Sequence, residues 1–475
     1  MAELNRREFI KRAASAGAVF TFLQCRRQSR KPNFILILAD DLGYGDLGCY
    51  GQEKIKTPVL DRMASQGVRF TQFYAGSTVC APSRSALMTG QHTGHTRVRG
   101  NALVPLEPED VTIAELLRRA GYATALIGKW GLGEEGSTGE PRKKGFDYFF
   151  GYLNQVHAHN YFPHYLWRNE EKIPLRNKVV FAQEGYAKGI GSAAVERVDY
   201  VPELMIEETE KYIEAHAGEP FFLFFSTTIP HANNEYYLSG AAHGMEIPDY
   251  GIYSVSDWPE PQKAHAAMIS LLDQHVGRIL QTLKDLGIEQ DTFIFFSSDN
   301  GPHREGGFSP EFSNSSGGLR GIKRDLYEGG IRVPMIAYAP GRIAGGRTAE
   351  EPFAFWDFLP TLADLAGISA PPNIDGVSFA PILLGKEKAQ RRHEFLYWEF
   401  HEGPASQQAV RWGKWKGIRH DPNGAMELYD LSIDSGETRN VAAEHPDVVE
   451  AIVNIMQRAR TESREWPLRT AIKPG

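Results

Sequence analysis

Five stretches of the chain are apolar over consecutive positions, with only a few small hydroxyl residues, rather than at every second one: Phe34–Ala39, Ala123–Ile127, Pro220–Thr227, Thr292–Ser298 and Met335–Tyr338. Continuous short runs of this kind predict strands buried on both faces, as in a parallel sheet covered by helices. Between them lie stretches with helical spacing: Pro58 with Leu60, Met63 and Ala64, then Ile113–Ala120, Val201–His216 and Ala264–Leu286. The last carries Met268, Leu271, Leu272, Val276, Ile279, Leu280 and Leu283 along one face. Alternation of the two patterns predicts an α/β fold, a large, mostly parallel sheet flanked by helices. Beyond about residue 385 the texture changes to short runs bounded by turn residues, Glu394–Phe400, Ala409–Lys416 and Met426–Leu431, with a last helix over Pro446–Arg460. We read a leader over 1–30, a main domain over 31–384, and a smaller C-terminal subdomain with an antiparallel sheet over 385–475.

Polar residues cluster where the apolar runs end. Phe34–Ala39 runs into Asp40-Asp41, Thr292–Ser298 into Asp299-Asn300, Ala123–Ile127 into Gly128-Lys129-Trp130-Gly131, and Pro220–Thr227 into Pro230-His231. In open α/β sheets this edge is where ligands bind. Each group has a plain alternative: adjacent acids cap turns, a lysine in a glycine-rich loop is solvated, a histidine packs in the core. Two adjacent carboxylates repel, however, and a hard cation bound by oxygen would hold both ionised, with Asp299 and Asn300 completing the set. Val68–Tyr74 predicts a strand leading through a polar turn to Cys80-Ala81-Pro82-Ser83-Arg84, where a helix begins. Backbone N–H groups converge on an anion at such a start. Arg84 lies one helical turn beyond Cys80 and on the same face.

Gly145–Leu166 is crowded with aromatics and includes His157 and His159. Such rings either pack structurally or face a sugar ring that carries an anion. Residues 235–262 lack a periodic pattern and predict an excursion over the binding edge.

Composition narrows this reading. The 475 residues carry a net charge of −7, with 42% hydrophobic and 23% charged residues, as in an ordinary soluble protein. The first thirty residues hold seven of the basic residues against two glutamates, so the rest is more acidic still and gives no case for nucleic-acid binding. Three cysteines, Cys25, Cys49 and Cys80, make no disulfide framework. No run of eighteen apolar residues predicts a transmembrane segment.

The sequence around Cys80, with Leu87-Met88-Thr89-Gly90 following, resembles the signature of the formylglycine-dependent sulfatases of the alkaline phosphatase superfamily. In that family the cysteine is oxidised to the aldehyde 3-oxoalanine (formylglycine) and used as its hydrate. The resemblance extends to Asp40-Asp41, to the Gly-Lys-Trp segment, to Pro230-His231, to Ser298-Asp299-Asn300-Gly301, and to Lys323 with Tyr327-Glu328-Gly329-Gly330-Ile331-Arg332-Val333-Pro334. It implies Ca2+ held by Asp40, Asp41, Asp299, Asn300 and the residue at Cys80. It implies that Arg84, Lys129 and Lys323 neutralise sulfate charge and that His231 protonates the leaving alcohol. A sulfate ester needs these services because oxygens shield its sulfur; the second hydroxyl of a geminal diol lets the enzyme shed sulfate without water attacking sulfur.

One position departs from the pattern. Gly131 stands where the motif commonly has histidine, and His157 or His159 is the candidate replacement, as base or as sulfate contact. The expected substrate is a sulfated carbohydrate, and the expected maturation partner a formylglycine-generating enzyme. The alternatives are a phosphodiesterase or phosphonate hydrolase of the same superfamily and a catalytically silent glycan-binding protein. Arg6-Arg7-Glu8-Phe9-Ile10-Lys11 resembles a twin-arginine signal, which implies that the twin-arginine machinery exports the protein to the periplasm or beyond. Cys25 offers a lipoprotein as the lesser alternative, because Gln24 is a poor residue before a lipidated cysteine.

Overall fold

The computed structural model describes residues 31–471. The twin-arginine pair and Cys25 lie outside the described residues. Ten strands form one sheet: β1 (Asn33–Ala39), β2 (Val68–Phe70), β3 (Ala123–Lys129), β4 (Tyr148–Tyr152), β5 (Tyr165–Arg168), β6 (Glu171–Pro174), β7 (Phe221–Ser226), β8 (Thr292–Ser298), β9 (Met335–Tyr338) and β10 (Arg347–Ala349). Their order is β10-β2-β9-β8-β1-β7-β3-β4-β5-β6. The central five, β8-β1-β7-β3-β4, are parallel, so their C-terminal ends open on one edge.

The longer helices are α1 (Pro58–Gln66), α2 (Cys80–Thr89), α3 (Ile113–Arg119), α4 (Val201–His216), α5 (Glu260–Asp285), α6 (Phe358–Ala366) and α7 (Pro446–Arg458). Successive strand side chains point to opposite faces, and each face has its own core. Ile35, Ile37, Leu223 and Phe225 pack with α1, α4 and α5, whereas Phe34, Leu36, Leu38, Phe222 and Phe224 pack with α2, α3 and α6. This double burial is why the runs are apolar over consecutive positions.

Four further strands, β11 (Leu396–Phe400), β12 (Gln407–Trp412), β13 (Trp415–Arg419) and β14 (Glu427–Asp430), form the antiparallel meander of the C-terminal part. One face carries Trp398, Ala409 and Ile418 onto Val79 and Ala86 of the α2 segment; the other carries Tyr397, Val410 and Leu428 onto α7. The indole of Trp398 donates to Ala75 O at 2.9 Å, and Arg99 pairs with Glu399 at 2.8 Å. The small sheet therefore braces the turn and helix that present Cys80.

Three local expectations change. Val68–Tyr74 is two strands, because after Phe70 the chain leaves the main sheet and Phe73-Tyr74 pairs with Phe353-Ala354. Ala409–Lys416 spans the turn of a hairpin, with Gly413 at φ +58° between Trp412 and its partner Trp415. Helix α5 starts at Glu260, since Pro261 in its first turn gives up no intrahelical hydrogen bond. Among the described residues no helix is long and apolar enough to cross a membrane.

Candidate active site

The parallel strands deliver the expected residues to one place. Asp40 and Asp41 follow β1, Asp299 and Asn300 follow β8, Lys129 ends β3, and His231 lies five residues past β7. Neighbouring strands end side by side, so the turns beyond them touch: Asp41 N donates to Asp299 Oδ1 at 3.1 Å, and Leu42 N to Ser298 Oγ at 2.8 Å. Asp41 itself sits at φ +67°, which turns its carboxylate away from the strand direction. Cys80 is the first residue of α2, with Val79 as the extended residue before it.

All of these side chains are buried. The thiol of Cys80 lies 3.4 Å from Asp40 Oδ1, and Lys129 Nζ lies 2.7 Å from Asp40 Oδ2. Arg84 holds Asp299 Oδ2 through Nε at 3.1 Å and Nη2 at 2.8 Å. Lys323 Nζ donates to Asp41 Oδ2 at 2.8 Å and to His231 Nε2 at 3.1 Å. His231 Nδ1 donates to Ala232 O at 2.6 Å, which fixes the tautomer whose Nε2 accepts. Burial and the neighbouring Lys323 ammonium push the His231 imidazole down to about 3, so it rests neutral. Burial would raise the Asp40 carboxyl, but the charges of Lys129 and Arg84 hold it well below the usual range.

Burial, with Asp299 and Asp40 beside it, pushes the Cys80 thiol well above its ordinary value. A thiol is nucleophilic as thiolate, so unmodified Cys80 is placed to be inert.

Ligand atoms of Asp40, Asp41, Cys80 and His231 all lie within 4.8 Å of one another. Asn300 donates its amide nitrogen to Asp41 Oδ1 at 2.8 Å, while its buried Oδ1 has no hydrogen-bond partner among the described residues. The two carboxylates of that cluster, the Asp299 carboxylate that accepts from Asp41 N and the unmatched amide oxygen of Asn300 are oxygen donors suited to a hard cation such as Ca2+, so the residues present fit the ion.

The two candidate histidines separate. His159 lines the cavity above Cys80, stacks on His231 with centroids 4.8 Å apart, and has Nδ1 3.0 Å from Glu235 Oε2. His157 does not reach the cavity. It is packed against Tyr152 and Tyr165, neither ring nitrogen has a partner among the described residues, and burial pushes it down to about 3. His157 therefore packs among aromatic rings and does not line this cavity.

At Gly131 the backbone has φ +80°, and a Cβ would lie 2.6 Å from Gln155 Cγ. The side chain of Gln155 fills the place that a residue at 131 would use, so no histidine fits this backbone without displacing it.

Sequence reasoning passed over Glu235, Gln155 and Glu305. Glu305 accepts from Lys323 at 3.3 Å and from Arg324 at 2.6 Å, and the charges of Lys323 and Arg324 hold its carboxyl low against the effect of burial. None follows a strand directly, so no hydrophobic pattern marks them. The predicted excursion over 235–262 contributes little to the cavity, whose outer wall comes from 101–105 and from the loop of the Lys178–Phe181/Ser192–Glu196 hairpin.

A family model for sulfatases matches residues 32–368, and one for the C-terminal part of N-sulphoglucosamine sulphohydrolase matches 322–465. The chain belongs to the sulfatase family. It is a sulfate ester hydrolase with the fold of the alkaline phosphatase superfamily. It is 33% identical to human arylsulfatase A over 89% of this chain and 87% of that one. It is 30% identical to an N-acetylgalactosamine-6-O-sulfatase of Bacteroides thetaiotaomicron, over 92% and 94%. The solved structure of Ps i-CgsB in complex with k-i-k-neocarrahexaose superposes with a TM-score of 0.76 at 25% identity, covering 93% of this chain and 96% of that one.

Proposed function

We propose that this sulfatase cleaves a sulfate ester on a carbohydrate, with Cys80 matured to formylglycine and Ca2+ bound by Asp40, Asp41, Asp299 and Asn300. The observation that carries the reading is the meeting of an inert buried thiol with an oxygen donor set and three cations at one strand edge. Relatives named for sulfated sugars, among them the N-acetylgalactosamine-6-O-sulfatase, support the carbohydrate class. Formylglycine supplies the hydroxyl nucleophile that a thiol pushed to high pKa does not. Calcium would add positive charge against the sulfate oxygens.

The chain's own residues do the rest. Lys129 and Lys323 sit beside Asp40 and Asp41 with N–H groups that a sulfate oxygen can share. Arg84 keeps the Asp299 carboxylate fixed. Lys323 Nζ–H points at His231 Nε2, so the proton for the leaving oxygen is held by this pair rather than by a permanently charged imidazole. His159, aligned by Glu235 and lining the same cavity as Gly131, takes the role of base that the missing histidine would have. Export through the twin-arginine route, with maturation before translocation, remains the reading of the leader.

Sulfate release from a panel of sulfated monosaccharides tests the proposal, measured as prepared, after chelation and after Ca2+ is restored. Activity should fall at least tenfold on chelation and return with Ca2+, a loss of about 1.4 kcal/mol or more of charge stabilisation. Turnover of an aryl sulfate with no sugar sulfate cleaved would overturn the carbohydrate class, and indifference to chelation would overturn the metal.

A further inference from the structure

The cavity of about 600 Å3 above Cys80 has two ends of opposite character. Its inner end holds Lys129, His231 and Lys323 and is shaped for one sulfate. Its outer end, where the alcohol portion must lie, offers a single cationic side chain among the described lining residues, Arg324. That cation is already matched twice: Arg324 Nη1 donates to Glu305 Oε1 at 2.6 Å, and its Nε lies 3.4 Å from Glu402 Oε2. Glu402 also lines the cavity, and so does Glu134, whose Oε1 accepts from Asn154 Nδ2 at 3.0 Å. The other lining groups include amides, at Asn101, Gln155 and Asn234, the Ser137 hydroxyl, and the largely apolar surface of Leu103, Pro105 and the Tyr186 ring. A second sulfate or a uronate carboxylate on the substrate would meet carboxylates with no free cation to receive it, and like charges brought together at an interface repel strongly. Amides both donate and accept, which suits hydroxyl or N-acetyl groups, and the exposed ring of Tyr186 offers a face for a sugar.

We infer, on top of the sulfatase reading, that the substrate is a singly sulfated, otherwise uncharged sugar, a hexose or N-acetylhexosamine, and that Glu134 and Glu402 reject sugars carrying a second anion beside the ester. The sulfate end accepts charge; the sugar end excludes it.

The test is a matched panel of mono-O-sulfated hexoses and N-acetylhexosamines, each paired with the same sugar bearing a second sulfate or linked to glucuronate, with p-nitrophenyl sulfate as control. The kcat/KM of each neutral member should exceed that of its acidic partner by roughly tenfold or more, equivalent to about 1.4 kcal/mol or more. Glu134→Gln and Glu402→Gln should each narrow that ratio, by about threefold or more, with an unchanged thermal midpoint reporting intact folding. Equal or better turnover of the acidic partners would overturn the inference and leave the sulfatase reading standing. A ratio unmoved by either variant would overturn the assignment to these carboxylates. Sulfate released from p-nitrophenyl sulfate but from no sugar would overturn the carbohydrate reading beneath it.

Discussion

At the inner end of the cavity Asp40, Lys129 and Asp299 leave the ends of strands β1, β3 and β8, whereas at its mouth Leu103 and Tyr186 sit on loops outside the main sheet. The inner groups inherit their positions from sheet register: Ala39 pairs with Ser298, so the acids that follow them meet. The mouth owes its shape to connections between elements, and loops of this kind vary freely while the scaffold stays fixed. Chemistry is thus carried by the register and selectivity by the loops.

His157 and His159 give the sharpest way to break this division, since they are two residues apart in one helical turn. His159→Ala should lower kcat by about a hundredfold or more, as expected for loss of a positioned acid–base group. It should also slow sulfate release more than alcohol release, so that a burst of alcohol precedes the steady state. Glu235→Gln should fall between His159→Ala and the parent. His157→Phe should stay within about threefold of the parent kcat, its effect being on packing. A loss at His157 as large as that at His159 would place both rings in the chemistry.

A smaller effect checks how firmly the strand ends are held. Asp46, in the loop after Asp41, is buried, and that burial pushes its carboxyl up to about 7, with hydrogen bonds from Ser315 and Gly43 opposing. A folded-state value above the unfolded one means that the folded protein binds this proton more tightly. The group's stabilising contribution is then complete below about pH 4 and is lost as pH rises through 7. Asp46→Asn should remove that slope, flattening the thermal midpoint between pH 4 and 7 by a few degrees at most in a chain of this size. An unchanged slope would assign it to other groups.

The sequence made the sheet and the inner site readable because both follow from one signal, apolar runs that stop at polar residues. Asp40, Asp41, Lys129, His231, Asp299 and Asn300 all lie within five residues of such a stop. Cys80 was marked by its neighbours rather than by hydrophobicity. His157 and His159 looked alike because spacing in an irregular turn does not say which ring faces a cavity; the structure separates them through Glu235, a contact across 76 residues. Gln155 was invisible for the same reason, since its meaning depends on the missing side chain at Gly131.

The most direct measurement is the state of Cys80 in active protein. Mass spectrometry of the peptide that contains Cys80, on preparations matured to different extents, should show the cysteine converted to an aldehyde that a hydrazide reagent captures. The rate of sulfate release should rise in proportion to the converted fraction. Cys80→Ala should fold, bind Ca2+ and release sulfate at least about 10^4-fold more slowly, the scale seen when a nucleophile is deleted. Full activity in protein whose Cys80 is entirely unmodified thiol would contradict the account.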